Sequence, residues 1–365
     1  MEAFSNLWSN IQQETLFIIE ESLGSLTPKE QQLVTCLETC HIDYFISLLP
    51  AYYTGRKRSN RLNILKSFFV KALYALETTV TLIEMLKSNQ KLRSLCGFES
   101  FSSIPSESTF SRAFAEFSEY NIANQIHTSF ISNFLGDKLL GHISRDSTAI
   151  PAREKAVYKA KETTKSKYKK GRPKKGEVRE TKHTALQLQL EADVSSNLAN
   201  LPTECNFGTK KSSQGKRITW KGYKLHLDVA DGDIPISAYL TSASLHDSQV
   251  AIPLSQISRE KVTYCYELMD AAYDSQYISA NCIDNQIVPI IDPNPRNGNK
   301  RILDPAEKVR YNQRASVERV NSYLKDGYGA CRIRYRGMKK MFTSLMIGII
   351  LITVNQVAKL YGFET

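Results

Sequence analysis

The stretch DPAEKVRYNQRASVERVNSYLKDG, Asp304 to Gly327, reads as a helix with both ends specified in its own residues. Asp304 can cap the first turn, Pro305 suits the first helical position, Glu307 completes an Asp-x-x-Glu capping box, and Gly327 supplies the stop. At about 100° per residue, Tyr311, Arg314, Glu318 and Lys325 fall within an arc of about 60°, while Val309, Val317, Val320 and Leu324 take the opposite side. The helix can bury its apolar face and present a polar stripe. Taken singly, each residue of that stripe could be no more than the wet side of an amphipathic helix.

Upstream of it the texture is that of strands and turns. Leu140–Asp146 is a short strand candidate ending in an acid. Tyr223–Ala230 alternates, is followed by the turn Asp231-Gly232-Asp233, and can return as Ile236–Leu240 in antiparallel pairing. Val262–Leu268 is another candidate, with Asp270 just past its end, and Ile287–Ile291 is stopped by Asp292-Pro293-Asn294-Pro295. Strands followed by helices predict a mixed sheet with helices packed on it. Residues 1 to about 135 read as helical, with Leu65, Phe68, Phe69, Leu73, Leu76 and Leu82 at helical spacing. Gly97, Ser102, Ser103 and Pro105 mark a loop. Ser106 or Ser108 can then cap a helix Thr109–Phe117, whose Phe110, Phe114 and Phe117 serve either core packing or a helix-turn-helix.

The spacing Tyr311-x2-Arg314-x3-Glu318-x6-Lys325 resembles the signature of insertion-element transposases of the DDE type. That resemblance predicts two further carboxylates, each just after a strand, and Ile143-Ser144-Arg145-Asp146-Ser147-Thr148 and Leu268-Met269-Asp270-Ala271-Ala272-Tyr273-Asp274-Ser275 look like the two strand ends. Gly222-Tyr223-Lys224-Leu225-His226, His246-Asp247-Ser248 and Arg334-Tyr335-Arg336-Gly337 are further matching phrases, so the similarity runs over about residues 90 to 357. Ala271-Ala272 departs from it where relatives often carry a glycine. The resemblance implies a ribonuclease H-like α/β fold, a mixed sheet flanked by helices, preceded by an all-α N-terminal domain. The division expected is residues 1–136 for the helical domain, with possible DNA-end binding, and 137–365 for the catalytic domain, with a basic insertion at about 151–182.

The chemistry explains the residue types. Phosphodiester cleavage by water or a DNA 3′-hydroxyl is served by two hard cations about 3.5 to 4 Å apart, and carboxylate oxygens suit Mg²⁺ or Mn²⁺. The catalytic and metal-binding residues assigned on this basis are Asp146, Asp270 and Glu318; that Asp146 bridges the two ions is implied by the resemblance. Asp146 could instead be a strand-end turn residue. Asp274 ranks below Asp270, being better placed as a helix N-cap before Ser275. Tyr311, Arg314 and Lys325 would position phosphates beside the metals, although ordinary surface pairing is open to Lys325.

The 365 residues suffice for roughly two domains at ~150 residues each, and 42% hydrophobic with 23% charged residues is a globular composition. Lys and Arg number 48 against 37 acids, a net charge of +11. Between Arg153 and Lys182 alone there are 13 basic and 4 acidic residues, which predicts a polyanionic partner met at a defined place. Within that segment Lys169-Lys170-Gly171-Arg172-Pro173-Lys174-Lys175 resembles an AT-hook, a Gly-Arg-Pro core flanked by cations for a narrow A·T-rich minor groove, with nonspecific phosphate binding as the plainer reading. Lys159–Lys175 should be a solvated loop. Arg332, Arg334 and Arg336, with Lys339 and Lys340, form a second basic cluster, and Lys216, Arg217, Trp220, Lys221 and Lys224 mix cations with aromatics, Trp220 being more at home in a core.

Seven scattered cysteines with no Cys-x2-Cys pair indicate a reduced, intracellular chain. Cys36, Cys40 and His41 suggest a helix turn burying two thiols rather than a zinc corner. His226 is read as a strand residue and His246 as a structural group. No signal peptide is evident, and Met341–Val354, fourteen residues with three hydroxyls, reads as a buried helix too short for the ~20 residues a bilayer needs, so no membrane partner is expected. The functional expectation is a DNA transposase, cytoplasmic and nucleoid-associated, acting as a homodimer on terminal inverted repeats and target DNA with two Mg²⁺ or Mn²⁺ ions. A nuclease that does not join strands and a non-catalytic DNA-binding descendant are the alternatives.

Overall fold

The computed structural model describes residues 2–50, 58–157, 183–211, 214–294 and 302–363. The AT-hook-like segment, with Lys169, Lys170, Arg172, Lys174 and Lys175, and nearly all of the basic insertion lie outside the described residues.

Six strands form one mixed sheet: β1 Leu139–Pro151, β2 Asn206–Lys211, β3 Arg217–Ala230, β4 Ile234–Ser242, β5 Thr263–Met269 and β6 Val288–Ile291. β1 is central, antiparallel to β3 and parallel to β5, which in turn is parallel to β6. Its edges are both paired, and the helix carrying Glu318 on one face and the helix carrying Ala251 on the other cover it, so burial runs unbroken from His142 to Arg145 instead of alternating. β3 and β4 pair antiparallel across Asp231-Gly232-Asp233, where Gly232 takes a φ of 74° that the tight turn requires. The outer edge of β3 is shared, since its first half pairs with β2 and its second half with β4. This is the helix-flanked mixed α/β sheet expected of the ribonuclease H-like class.

The helix Ser248–Arg259 packs on β3 and β4, and Ala315–Ser322 packs against β1, β3 and β4. Helices make up the chain as far as Leu135. The apolar run Leu62 to Leu86 proves to be two of them, Arg61–Leu73 and Thr79–Ser88, separated at Ala75 with its φ of 50°. Phe110, Phe114 and Phe117 are all buried, and Cys36 and Cys40 are buried thiols on one helix turn.

Met338–Leu360 joins the two halves. Its residues from Leu345 to Val354 are buried on every side, so it behaves as a core helix, touching β4 and the helices Pro28–Thr39, Arg61–Leu73, Glu107–Glu119 and Ile122–Leu135. It is longer than the fourteen residues its apolar core suggests, and long and apolar enough to cross a membrane. Yet 83% of its most apolar window is buried within the fold. One hydrophobic cluster extends without a break from Phe4 through the sheet to Ala358.

Candidate active site

Strand alternation puts Arg145 and Asp146 on opposite faces of β1. The Arg145 side is sealed. Its guanidinium is 1% exposed and forks onto both oxygens of Asp228 at 2.7 Å, while Nη1 donates to Glu267 Oε2 at 3.1 Å and to the Ala251 carbonyl at 2.9 Å. The hydroxyls of Ser258, Ser255 and Tyr264 donate to the two carboxylates. Burial pushes the Asp228 carboxyl up, whereas Arg145 and three hydrogen-bonding neighbours overcome burial at Glu267 and hold it down. With every partner in place, this ion cluster fixes β1, β3 and β5 relative to one another directly behind Asp146.

Asp146 itself is recessed, with 24% of its side chain exposed. Burial raises its pKa to about 6, against the pull of Arg314 and the Ser147 N–H and with the charges of Asp270 and Asp247 adding to the rise. Asp270 follows β5 and caps the short turn Ala271–Tyr273 by accepting from the Ala272 N–H at 2.9 Å. Its carboxyl is likewise raised, first by burial. Asp146 does not end its strand as the sequence suggests, since β1 runs on to Pro151 in antiparallel pairing with β3; it lies just past the last parallel pair with β5, Ser144 with Leu268, so β1 and β5 still present two neighbouring acids that each resist ionisation.

The helical run opposite begins as its sequence requires, with Asp304 as N-cap, Pro305 in the first turn and Glu307 closing the capping box. It is not one uniform helix. The α-helix Pro305–Tyr311 tightens to a 3₁₀ turn at Asn312–Arg314, resumes as α over Ala315–Ser322 and loosens into a π turn at Tyr323–Gly327. Overwinding and underwinding offset one another, so the polar stripe survives. Arg314 feels Asp146, Tyr311, Glu318 and Asp270 together, which holds its charge firmly despite burial. Val317, Val320 and Leu324 are buried as the periodicity predicts. Val309 is 69% exposed, a correction to the apolar face, because the first helical segment runs past the sheet and touches little beyond β6.

Arg314 is the hub. Its Nη2 donates to Glu318 Oε1 at 2.6 Å, and its Nη1, buried without a hydrogen-bond partner, lies 3.9 Å from Asp146 Oδ1. Glu318 is 59% exposed and engaged by Arg314. Among the described residues no three His, Cys, Asp or Glu side chains stand close enough together to hold a metal ion. The donor chemistry nonetheless suits a hard cation, being all carboxylate oxygen, and an orphaned cationic nitrogen already stands at the acids.

Lys325 is half-buried, its ammonium lowered by burial and by the nearby charge of Lys210 while Asp146 partly restores it. Asp247, at the start of the helix Ser248–Arg259, accepts from Lys224 at 2.9 Å. Tyr273 is buried, with no partner for its hydroxyl, and faces Asp247, Asp146 and Asp270. The sequence reading did not single out Arg145, Asp228, Glu267 or Asp247. Its available signal was a lone charge flanked by apolar residues inside a strand, as in Leu227-Asp228-Val229 and Tyr266-Glu267-Leu268.

Other expectations resolve as follows. Asp274 caps no helix; Ser275 holds that position, and Asp274 Oδ2 instead accepts from the Asn294 N–H at 2.8 Å. His226 is a buried strand residue bonded to Thr241 at 2.8 Å, and exposed His246 bonds Ser248 at the same distance. Trp220 is half-buried and donates to the Tyr223 carbonyl. In the second basic cluster Arg332 and Arg334 both bind Glu77, at 2.9 and 2.7 Å, and Lys339 binds Glu119, so part of its charge is met within the chain, while Arg336 is exposed.

Residues 138–354 match the family model described as transposase DDE domain, more than half of the chain, and residues 21–116 match a transposase domain (DUF772). No curated protein and no solved structure matches the chain. With one acid within the central strand, a second just past its parallel neighbour and a third on the facing helix, all within the matched span, the chain belongs to the DDE transposase family and is a DNA transposase.

Proposed function

We propose that the protein cuts transposon ends at terminal inverted repeats and joins them to target DNA, with Asp146, Asp270 and Glu318 as ligands of two Mg²⁺ or Mn²⁺ ions. Enzymes of this family depend on divalent metal ions. What carries the residue assignment is that Arg314, one guanidinium, interacts with all three acids drawn from three separate parts of the chain. Two such ions, when bound, activate the attacking oxygen and stabilise the leaving oxygen. Release from Arg314 frees Glu318 to join Asp146 and Asp270, and the freed guanidinium forks onto a DNA phosphate, with Tyr311 orienting it and Lys325 adding a point charge. The chemistry is positional, so the buried Arg145 cluster serves it by holding the Asp146 strand still.

The protein works as a homodimer, in the cytoplasm and on the nucleoid, engaging double-stranded DNA. Residues 1–136 are assigned to binding the element end, 137–365 to catalysis, and Lys169, Lys170, Arg172, Lys174 and Lys175, with Arg332, Arg334 and Arg336, to holding DNA outside the site.

The test is a strand-transfer assay with a labelled, pre-cut duplex taken from the DNA flanking the gene, and a supercoiled target plasmid. Joined products in Mg²⁺ or Mn²⁺, lost in Asp270→Asn, support the reading. Cutting without joining would establish a nuclease, and binding without either reaction a non-catalytic protein.

A further inference from the structure

The sequence pattern did not reveal β2, and what it builds is unlike the rest of the sheet. Asn206–Lys211 pairs with Arg217–Gly222, whereas the pairing of β1 with β3 stops at Pro151 and Gly222. The two short stretches therefore continue past the sheet as a two-stranded ribbon. Between positions 206 and 222 the sequence has five Lys or Arg and no Asp or Glu.

The register settles how those cations are arranged. Thr209 lies opposite Thr219, with their hydroxyls 3.3 Å apart, so Arg217 and Lys221 flank Thr219 on one face, and Lys210 stands on the other beside Ile218. Lys210, Arg217 and Ile218 are exposed. Cations this dense along two exposed strands suit an anion lying along them, and an antiparallel pair of strands has the width to enter a DNA major groove.

A second observation ties the ribbon to the acids. Lys210 on the ribbon and Lys325 at the end of the catalytic helix are close enough to feel one another, and Lys325 also feels Asp146. Neither lysine forms an ion pair with a described residue.

We propose that the ribbon formed by Asn206–Lys211 and Arg217–Gly222 is a DNA-binding arm, with Lys210 on one face and Arg217 and Lys221 on the other meeting backbone phosphates. The arm's affinity for DNA is independent of the catalytic assignment.

The experiment measures binding of the full chain to a fluorescein-labelled 30-bp duplex of random sequence over a range of salt concentrations. Lys210→Gln and Arg217→Gln should each weaken binding about tenfold at ~0.1 M salt and flatten the dependence of log K on log salt by about 0.9, with Lys210→Glu weaker still. Native far-UV spectra and melting with wild-type affinity and salt slope in all three variants would overturn the proposal. As a measure that leaves the charges intact, benzoylphenylalanine at Ile218 should cross-link to the duplex on irradiation, and binding without any cross-link counts against the arm. Asp146→Asn is run in parallel: should it still cut DNA, the catalytic reading fails while the result for the ribbon stands.

Discussion

Arg314 and Glu318 sit one helical turn apart and share a hydrogen bond of 2.6 Å, which holds the third acid on the guanidinium rather than on Asp146 and Asp270. The pair is partly exposed, so its own contribution to stability is small. Its significance is geometric: the group that interacts with all three acids is also the group best suited to a phosphate.

Substituting Arg314 should therefore spare folding and damage chemistry. Arg314→Ala is expected to reduce the rate of end cleavage by about 10²-fold or more, the usual loss for one positioned donor. Arg314→Lys should recover little, because an ammonium keeps the charge but not the fork. Cleavage rates under single-turnover conditions, beside melting temperatures within a degree or two of wild type, check both statements.

The cluster behind Asp146 predicts the opposite pattern. Arg145→Leu leaves Asp228 and Glu267 buried without their cation and should cost about 3–5 kcal/mol of folding stability. Replacing all three with apolar residues of similar size should regain most of that loss. Urea denaturation of the single and triple variants distinguishes a buried ion network from a mere packing defect.

Acid should destabilise the protein through its buried histidines. Burial lowers His226 to about 4, below the ~6.5 of an unfolded chain, so the folded state takes up its proton less readily. Stability from this group is complete above pH ~6.5 and falls as pH drops from there toward 4. Between pH 7.5 and 5 the loss should be about 2 kcal/mol, and His226→Asn should lack that share of it. His127, also buried and lowered, leaves a residual slope of the same sign.

Gly222 stands where the ribbon leaves the sheet, with a φ of 150°. A Cβ there would lie 2.2 Å from the Ile150 carbonyl oxygen and 2.7 Å from the Ala152 nitrogen, both backbone atoms that cannot step aside. Gly222→Ala should cost about 1–3 kcal/mol and loosen the junction of β3 with β1. Hydrogen exchange should show the protection lost first at Ile150–Ala152.

What was legible in the sequence divides by physical cause. Asp304, Pro305 and Glu307 announce the catalytic helix through local capping chemistry, and the observed start agrees with them residue for residue. The alternation in Tyr223–Ala230 and the Asp-Gly-Asp turn give the β3–β4 hairpin in the same way. β2 escaped because Phe207 is the only large apolar residue in Asn206–Lys211, which pairs with β3 alone and so carries no apolar alternation. Val309 misled because periodicity records which side of a helix is apolar, not whether anything lies beneath it. The Arg145 cluster was invisible for a related reason: three charges far apart in sequence become partners only once β1, β3 and β5 are set side by side.

The central claim is that Asp146, Asp270 and Glu318 act as one metal-dependent unit. The most direct measurement compares wild type with Asp146→Asn, Asp270→Asn and Glu318→Gln for cleavage, in Mg²⁺ or Mn²⁺, of a plasmid carrying the gene with its native flanks, with DNA binding followed in the same samples. The account predicts that each substitution abolishes cleavage, by about 10³-fold or more, while binding persists. Cleavage at the wild-type rate by any of the three would contradict it.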